Sequence, residues 1–108
     1  MKVVITRNGE DDLEAIYRSH AEYSIDYADK FFDQIVGYII ERLSQFPLSA
    51  PEYSPETGIR RLVYDEKINI YYVLKDDAAY VLYILDARRI LNEKILMLSD
   101  EDVIGIVE

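Results

Sequence analysis

The sequence has no cysteine, no tryptophan and a single histidine, His20. Without thiols there is neither a disulfide framework nor a thiolate nucleophile. One imidazole does not make a usual zinc ligand set. Metal and redox catalysis are therefore not expected, and no cofactor is. Basic residues are also scarce: 12 lysines and arginines face 21 aspartates and glutamates, a net charge of -9. Affinity for phosphate backbones comes largely from cationic side chains displacing counterions, so general nucleic-acid binding is not expected either. No stretch reaches the roughly 20 apolar residues of a membrane-spanning helix. The opening Met1-Lys2-Val3-Val4-Ile5 gives way to Thr6-Arg7-Asn8 without the apolar region of a signal peptide. The expectation is a cytoplasmic protein with no membrane partner.

What remains is a chain of 108 residues, half of them hydrophobic. That suffices for one compact core and falls short of two ordinary domains, so residues 1–108 read as a single domain. The charge is uneven. Residues 1–57 hold 5 basic and 11 acidic side chains, residues 58–94 hold 7 and 6, and residues 95–108 hold none and 4. Only the middle third is not acidic, and it carries both Arg-Arg pairs, Arg60-Arg61 and Arg88-Arg89. An anionic partner would meet the chain there.

Lys2 to Thr6 is a β-branched run that predicts a strand, with Asn8-Gly9 as the turn that ends it. Glu10, Asp11, Asp12 and Glu14 then suit a helix start, where carboxylates meet the positive end of the dipole. Leu13, Ile16, Tyr17, His20 and Ala21 recur at helical spacing. Ser24 is placed to cap a second helix, from Ile25 to Phe46, whose apolar face is wide enough to touch both a partner helix and a sheet. Pro47 stops it. Leu48 to Thr57, with Pro51 and Pro55, reads as an irregular connection. Three strands are then predicted, at Ile59–Tyr64, Ile68–Leu74 and Ala79–Leu85, and the short gaps between them make an antiparallel meander. Alternation puts Ile68, Ile70, Tyr72 and Leu74 on one face and Asn69, Tyr71 and Val73 on the other; in the third strand it sets Tyr80, Leu82 and Ile84 against Val81, Tyr83 and Leu85. Both faces are apolar. Helices are expected on one, and a partner or the C-terminal segment on part of the other. A short terminal helix after Ser99-Asp100-Glu101-Asp102 is expected, with residues 95–108 as a C-terminal extension.

Five stretches follow one another in the chain: Asp12-Leu13-Glu14-Ala15-Ile16 with Tyr17; Ala28-Asp29-Lys30-Phe31; Gly58-Ile59-Arg60-Arg61-Leu62; Ile70-Tyr71-Tyr72-Val73; and Ile84-Leu85-Asp86-Ala87-Arg88-Arg89. With the order of elements they resemble the RelE/ParE toxin superfamily over nearly all of residues 1–98, closer to its ParE-like members. Asp86 departs from the pattern, standing where many members have histidine. The resemblance implies an α+β fold in which an N-terminal strand and a two-helix hairpin pack on a small antiparallel sheet. It implies the growth-inhibiting toxin of a type II toxin-antitoxin, or plasmid stabilisation, module, neutralised by a cognate antitoxin. A ParE-like member would inhibit DNA gyrase without catalysis. The alternatives are a metal-independent ribonuclease of RelE type acting on mRNA at the ribosome, and an inactive member that only binds antitoxin.

The ribonuclease reading requires a base, an acid and positive charge on a phosphate. Arg60 and Arg88, with Tyr83, are its candidate catalytic residues, and Arg89 adds charge. Asp86 is a poor base beside arginines, which favour its ionised form, and is expected to pair with Arg60 or Arg88. As a binding surface the same region offers Arg60, Arg61, Tyr71, Tyr83, Asp86, Arg88 and Arg89. His20 lies on the apolar stripe of the first helix, where a structural role is expected. The wide apolar faces also predict self-association, as a homodimer, in the absence of antitoxin.

Overall fold

The computed structural model describes residues 1–88. Arg89, the expected terminal helix and the extension 95–108 lie outside the described residues. Strand β1 (Lys2–Ile5) leads into helices α1 (Arg7–Ala21) and α2 (Ile25–Gln45), and strands β2 (Glu52–Ser54), β3 (Ile59–Tyr64), β4 (Ile68–Lys75) and β5 (Ala78–Asp86) follow. The strands form one sheet in the order β1-β5-β4-β3-β2. The meander β3-β4-β5 is antiparallel as expected. β1, however, runs parallel to β5, with Lys2 opposite Ala78 and Ile5 opposite Val81, so the sheet is mixed. The fold is α+β, a helical hairpin on one sheet.

Asn8-Gly9 is not a turn. The Thr6 hydroxyl accepts the Gly9 amide at 3.2 Å and caps α1 one turn earlier than the acidic cluster suggested. Gly9 serves a different purpose: a Cβ there would lie 3.0 Å from both the Ile5 side chain and the Val81 carbonyl. The glycine lets the first turn of α1 lie against β5. Thr6 adds a second anchor, its hydroxyl donating to Val81 O at 2.8 Å. Ser24 caps α2 as expected, accepting the Tyr27 amide at 3.1 Å. The segment 48–57, read from its prolines as irregular, contains the edge strand β2, with Glu52 opposite Arg60. Prolines at 51 and 55 frame the strand rather than interrupt it.

Both meander turns use left-handed backbone at acidic residues. Asp65 and Glu66 have φ of 51° and 58°, and Asp76 and Asp77 have 50° and 63°. Two consecutive positive φ values give the mirror-image turn whose twist matches a hairpin.

Ile35, Ile39 and Leu43, spaced by four on α2, are fully buried against Ile70, Tyr72, Val81 and Ile84. Each such side chain contributes about 1.5–3 kcal/mol relative to exposure. The opposite face gathers Ile59, Tyr71, Leu82 and Leu85, with Tyr53, Val73, Tyr80 and Tyr83 around them. β4 divides its faces as its alternation predicts. β5 does not: Tyr72 pairs with Val81 while Tyr71 pairs with Tyr83, which leaves Leu82 as an extra residue in a bulge. The bulge reverses the parity, so that Val81 and Ile84 both join the helix-side core and Leu82 and Leu85 both face away.

Candidate functional site

The two arginines of β3 point to opposite faces. Arg60, on the helix side, donates through Nη1 to Ala50 O at 2.7 Å, and its Nη2 lies 3.7 Å from Glu52. Beside it, the Tyr72 hydroxyl donates to Pro47 O at 2.6 Å. Burial holds the Tyr72 phenol above its ordinary value, while Arg60, the backbone near Ala50 and Arg42 draw it back down. Arg60 and Tyr72 thus pin the connection between α2 and β2 to the sheet.

Arg61 faces away from the helices, its guanidinium 5.4 Å from the centre of the Tyr53 ring. Tyr53 meets Tyr71 edge-on at 5.2 Å. Tyr71, 1% exposed, receives a hydrogen bond from Asn69 at 3.4 Å and lies opposite Tyr83 across the strands. Tyr83 is half-buried, and Asn8 donates to its hydroxyl at 3.3 Å. The structure therefore brings Arg61, Tyr71 and Tyr83 onto one face.

Asp86 and Arg88 form a separate group at the end of β5. The Asp86 carboxylate accepts the Arg88 amide at 2.8 Å, Nε at 3.0 Å and Nη2 at 3.2 Å. This contact raises the already high pKa of Arg88. Arg60 lies opposite Tyr72 and Asp86 opposite Ile68. Four residues of strand, roughly 13 Å, separate the two positions. Arg60, Arg88 and Tyr83 do not converge, and Arg89 is outside the described residues.

Three clefts among the described residues lie on the hairpin side. A cleft of about 370 Å³ between β1, α1 and α2 is lined by Ile5, Leu13, Phe32 and Val36, with Glu10 and Glu14 at its rim. Glu14 also pairs with Arg18 one turn on. Phe32 is 38% exposed there, and Ile40, two turns further along α2, 48%. At the other end of the hairpin, two smaller clefts share His20, Ile68 and Asp86. Asp12, Ala15, Ile16, Ser19 and Ile84 also line the first; Tyr27, Phe31, Tyr64, Asp65 and Lys67 also line the second. The His20 ring packs against Phe31 at 4.6 Å and Tyr27 at 5.1 Å. Burial and the neighbouring Asp65 hold the Tyr64 phenol above its ordinary value. No local pattern brings His20 and Asp86 to the same clefts, because their neighbourhood depends on how the hairpin crosses the end of β5.

No protein-family model and no curated protein matches this chain. Among solved structures, a chain of the chromosomal ParDE TA system from P. aeruginosa is 25% identical and superposes with a TM-score of 0.70, over 80% of this chain and 95% of that one. A conserved hypothetical protein from Helicobacter pylori, 11% identical, shares the fold with a TM-score of 0.51 over 84% of this chain and 99% of its own. Among the described residues no helix is long and apolar enough to cross a membrane. Its strand, hairpin and meander, the motifs they carry and the likeness to the ParDE chain place this protein with the RelE/ParE-like toxin superfamily, closer to ParE.

Proposed function

We propose that this chain is the growth-inhibiting toxin of a type II toxin-antitoxin module, neutralised by its cognate antitoxin, and that it acts as a ParE-like inhibitor of DNA gyrase. The observation that carries the reading is the likeness to the ParDE chain, which spans nearly the whole of that chain. The site geometry favours binding over cleavage. Arg60 is engaged by Ala50 and Glu52, and Arg88 by Asp86, at separate ends of the sheet. Metal-free cleavage of RNA needs a base, an acid and cationic charge gathered at one phosphate. A gyrase inhibitor needs a protein-binding surface and no catalytic acid or base, a requirement that tolerates the net charge of -9.

The antitoxin is proposed to cover the apolar cleft of Ile5, Leu13, Phe32 and Val36, by the mode in which an apolar segment lies in a groove between helices. Induced expression in a bacterium tests the reading. Growth arrest with DNA-damage signalling, relieved by co-expression of the neighbouring small gene, is the expected outcome. Arrest with cleaved transcripts transfers the proposal to ribosome-dependent RNA cleavage, and normal growth overturns both in favour of an inactive antitoxin-binding member.

A further inference from the structure

The sheet carries a second core on the face turned away from the helices. Ile59, Tyr71, Leu82 and Leu85 form it, with Tyr53, Val73, Tyr80 and Tyr83 around them, and all eight belong to strands. Leu82 is 0% exposed, and Ile59 and Tyr71 are each 1% exposed. Side chains stand roughly perpendicular to a sheet, so strand neighbours shield their flanks and leave their outer ends to water. Burial this complete needs a second layer over the face. α1 and α2 do not supply it, because Leu13, Ile35, Ile39 and Leu43 pack into the opposite core.

These side chains are withdrawn from water in a single copy of the chain, so the layer comes from the chain itself. Beyond Arg88 the chain continues through residues 89–108, which include Ile90, Leu91, Ile95, Leu96, Met97 and Leu98. They begin three residues past the end of β5, the strand that carries Leu82 and Leu85. Twenty residues span about 30 Å even when wound as a helix, twice the roughly 15 Å that separates β5 from β2. Cover is thinner away from β5: Val63 continues the alternation of Ile59 and Arg61 on β3 and is 42% exposed. Residues 89–108 also hold five acids and two bases, and Arg61 stands exposed at the rim of the same face to meet that excess.

We propose that residues 89–108 dock on the helix-free face of the sheet, their aliphatic side chains covering Tyr71, Leu82 and Leu85, and so withhold an apolar surface from other chains. This contact does not depend on the toxin reading.

The absence of cysteine allows a single nitroxide to be attached to the full-length chain at Ser99→Cys. Its broadening of NMR signals falls steeply with distance. The amide signals of Tyr71, Val73, Leu82 and Tyr83 are expected to lose most of their intensity, while those of Phe32 and Ile40, exposed on the hairpin, keep theirs. Uniform loss, or loss confined to the hairpin, would overturn the proposal. Mixing spin-labelled chains with isotope-labelled, nitroxide-free chains separates the two sources of contact: broadening of the sheet face in the mixture would assign that face to a second copy instead. In the double variant Leu96→Asp with Leu98→Asp, the broadening is expected to disappear, and the fluorescence of 8-anilinonaphthalene-1-sulfonate to rise several-fold as the face opens. Unchanged dye binding in that variant would likewise contradict the docking.

Discussion

Asp12 on α1 accepts the backbone N–H of Ile84 on β5 at 2.8 Å. β1 pairs with β5 only as far as Val81, so beyond that point a side chain takes the place of a strand partner. The first residue of the motif that marks the family resemblance thus fastens the helical hairpin to the sheet edge. Asp12→Ala strands a partly buried amide donor and is expected to cost about 1–3 kcal/mol. Urea denaturation of the two proteins measures it. An unchanged midpoint would show that the contact carries no stability.

Gly9 should resist the substitution that usually helps a helix. Alanine is ordinarily favoured over glycine in a helix by about 1 kcal/mol. Here the added Cβ meets Ile5 and the Val81 carbonyl at 3.0 Å, and backbone yields less readily than a flexible side chain. Gly9→Ala is therefore expected to lower stability by about 1–3 kcal/mol, the usual cost of overpacking. A higher melting temperature in the variant would show that α1 can move off β5.

Arg60 is expected to act through structure. Its bonds to Ala50 and Glu52 hold the connection between α2 and β2. Arg60→Ala should lose about 1–3 kcal/mol, the range for a charge-assisted bond to a half-buried partner. Hydrogen exchange over residues 47–52 should rise, while toxicity per folded molecule stays the same. A fully stable variant that had lost toxicity would instead place Arg60 in the functional surface.

The alkaline limit of stability should depend on Tyr72. Burial, its largest influence, holds the phenol above its ordinary value of 10.0 in the folded protein. A raised folded pKa favours the protonated, folded form. Its contribution is complete below the unfolded value and is lost as pH rises through the folded one. Denaturation midpoints should therefore fall above about pH 10, and fall less in Tyr72→Phe. Tyr72→Phe also gives up the bond to Pro47, so its stability near neutral pH should be lower by about 1 kcal/mol. Equal slopes above pH 10 in both proteins would contradict the assignment.

Much of this architecture was legible in the residues. The spacing of Ile35, Ile39 and Leu43 announced a buried helix face, Ser24 its start, and the short gaps at 65–67 and 75–78 the meander turns, the second of which the strands narrow to Asp76-Asp77. Three features were not legible, each for a physical reason. The Asn8-Gly9 pair carries a turn signal, but Thr6 supplies a cap and the sheet demands a residue without a Cβ. The bulge at Leu82 leaves no trace in an apolar run, because Tyr80 through Leu85 offers a hydrophobic side chain in either parity. The parallel partnership of β1 with β5 joins segments distant in the chain, which local pattern does not encode. The arginines show the same limit: their positions in the strands were readable, and their separation along the sheet was not.

The most direct measurement adds the purified chain to DNA gyrase with supercoilable plasmid, with and without the cognate antitoxin. Inhibited supercoiling and accumulation of gyrase-cleaved DNA, abolished by the antitoxin, is the predicted result. Unimpaired gyrase, together with cleavage of mRNA when the chain is added to translating ribosomes, would contradict the account.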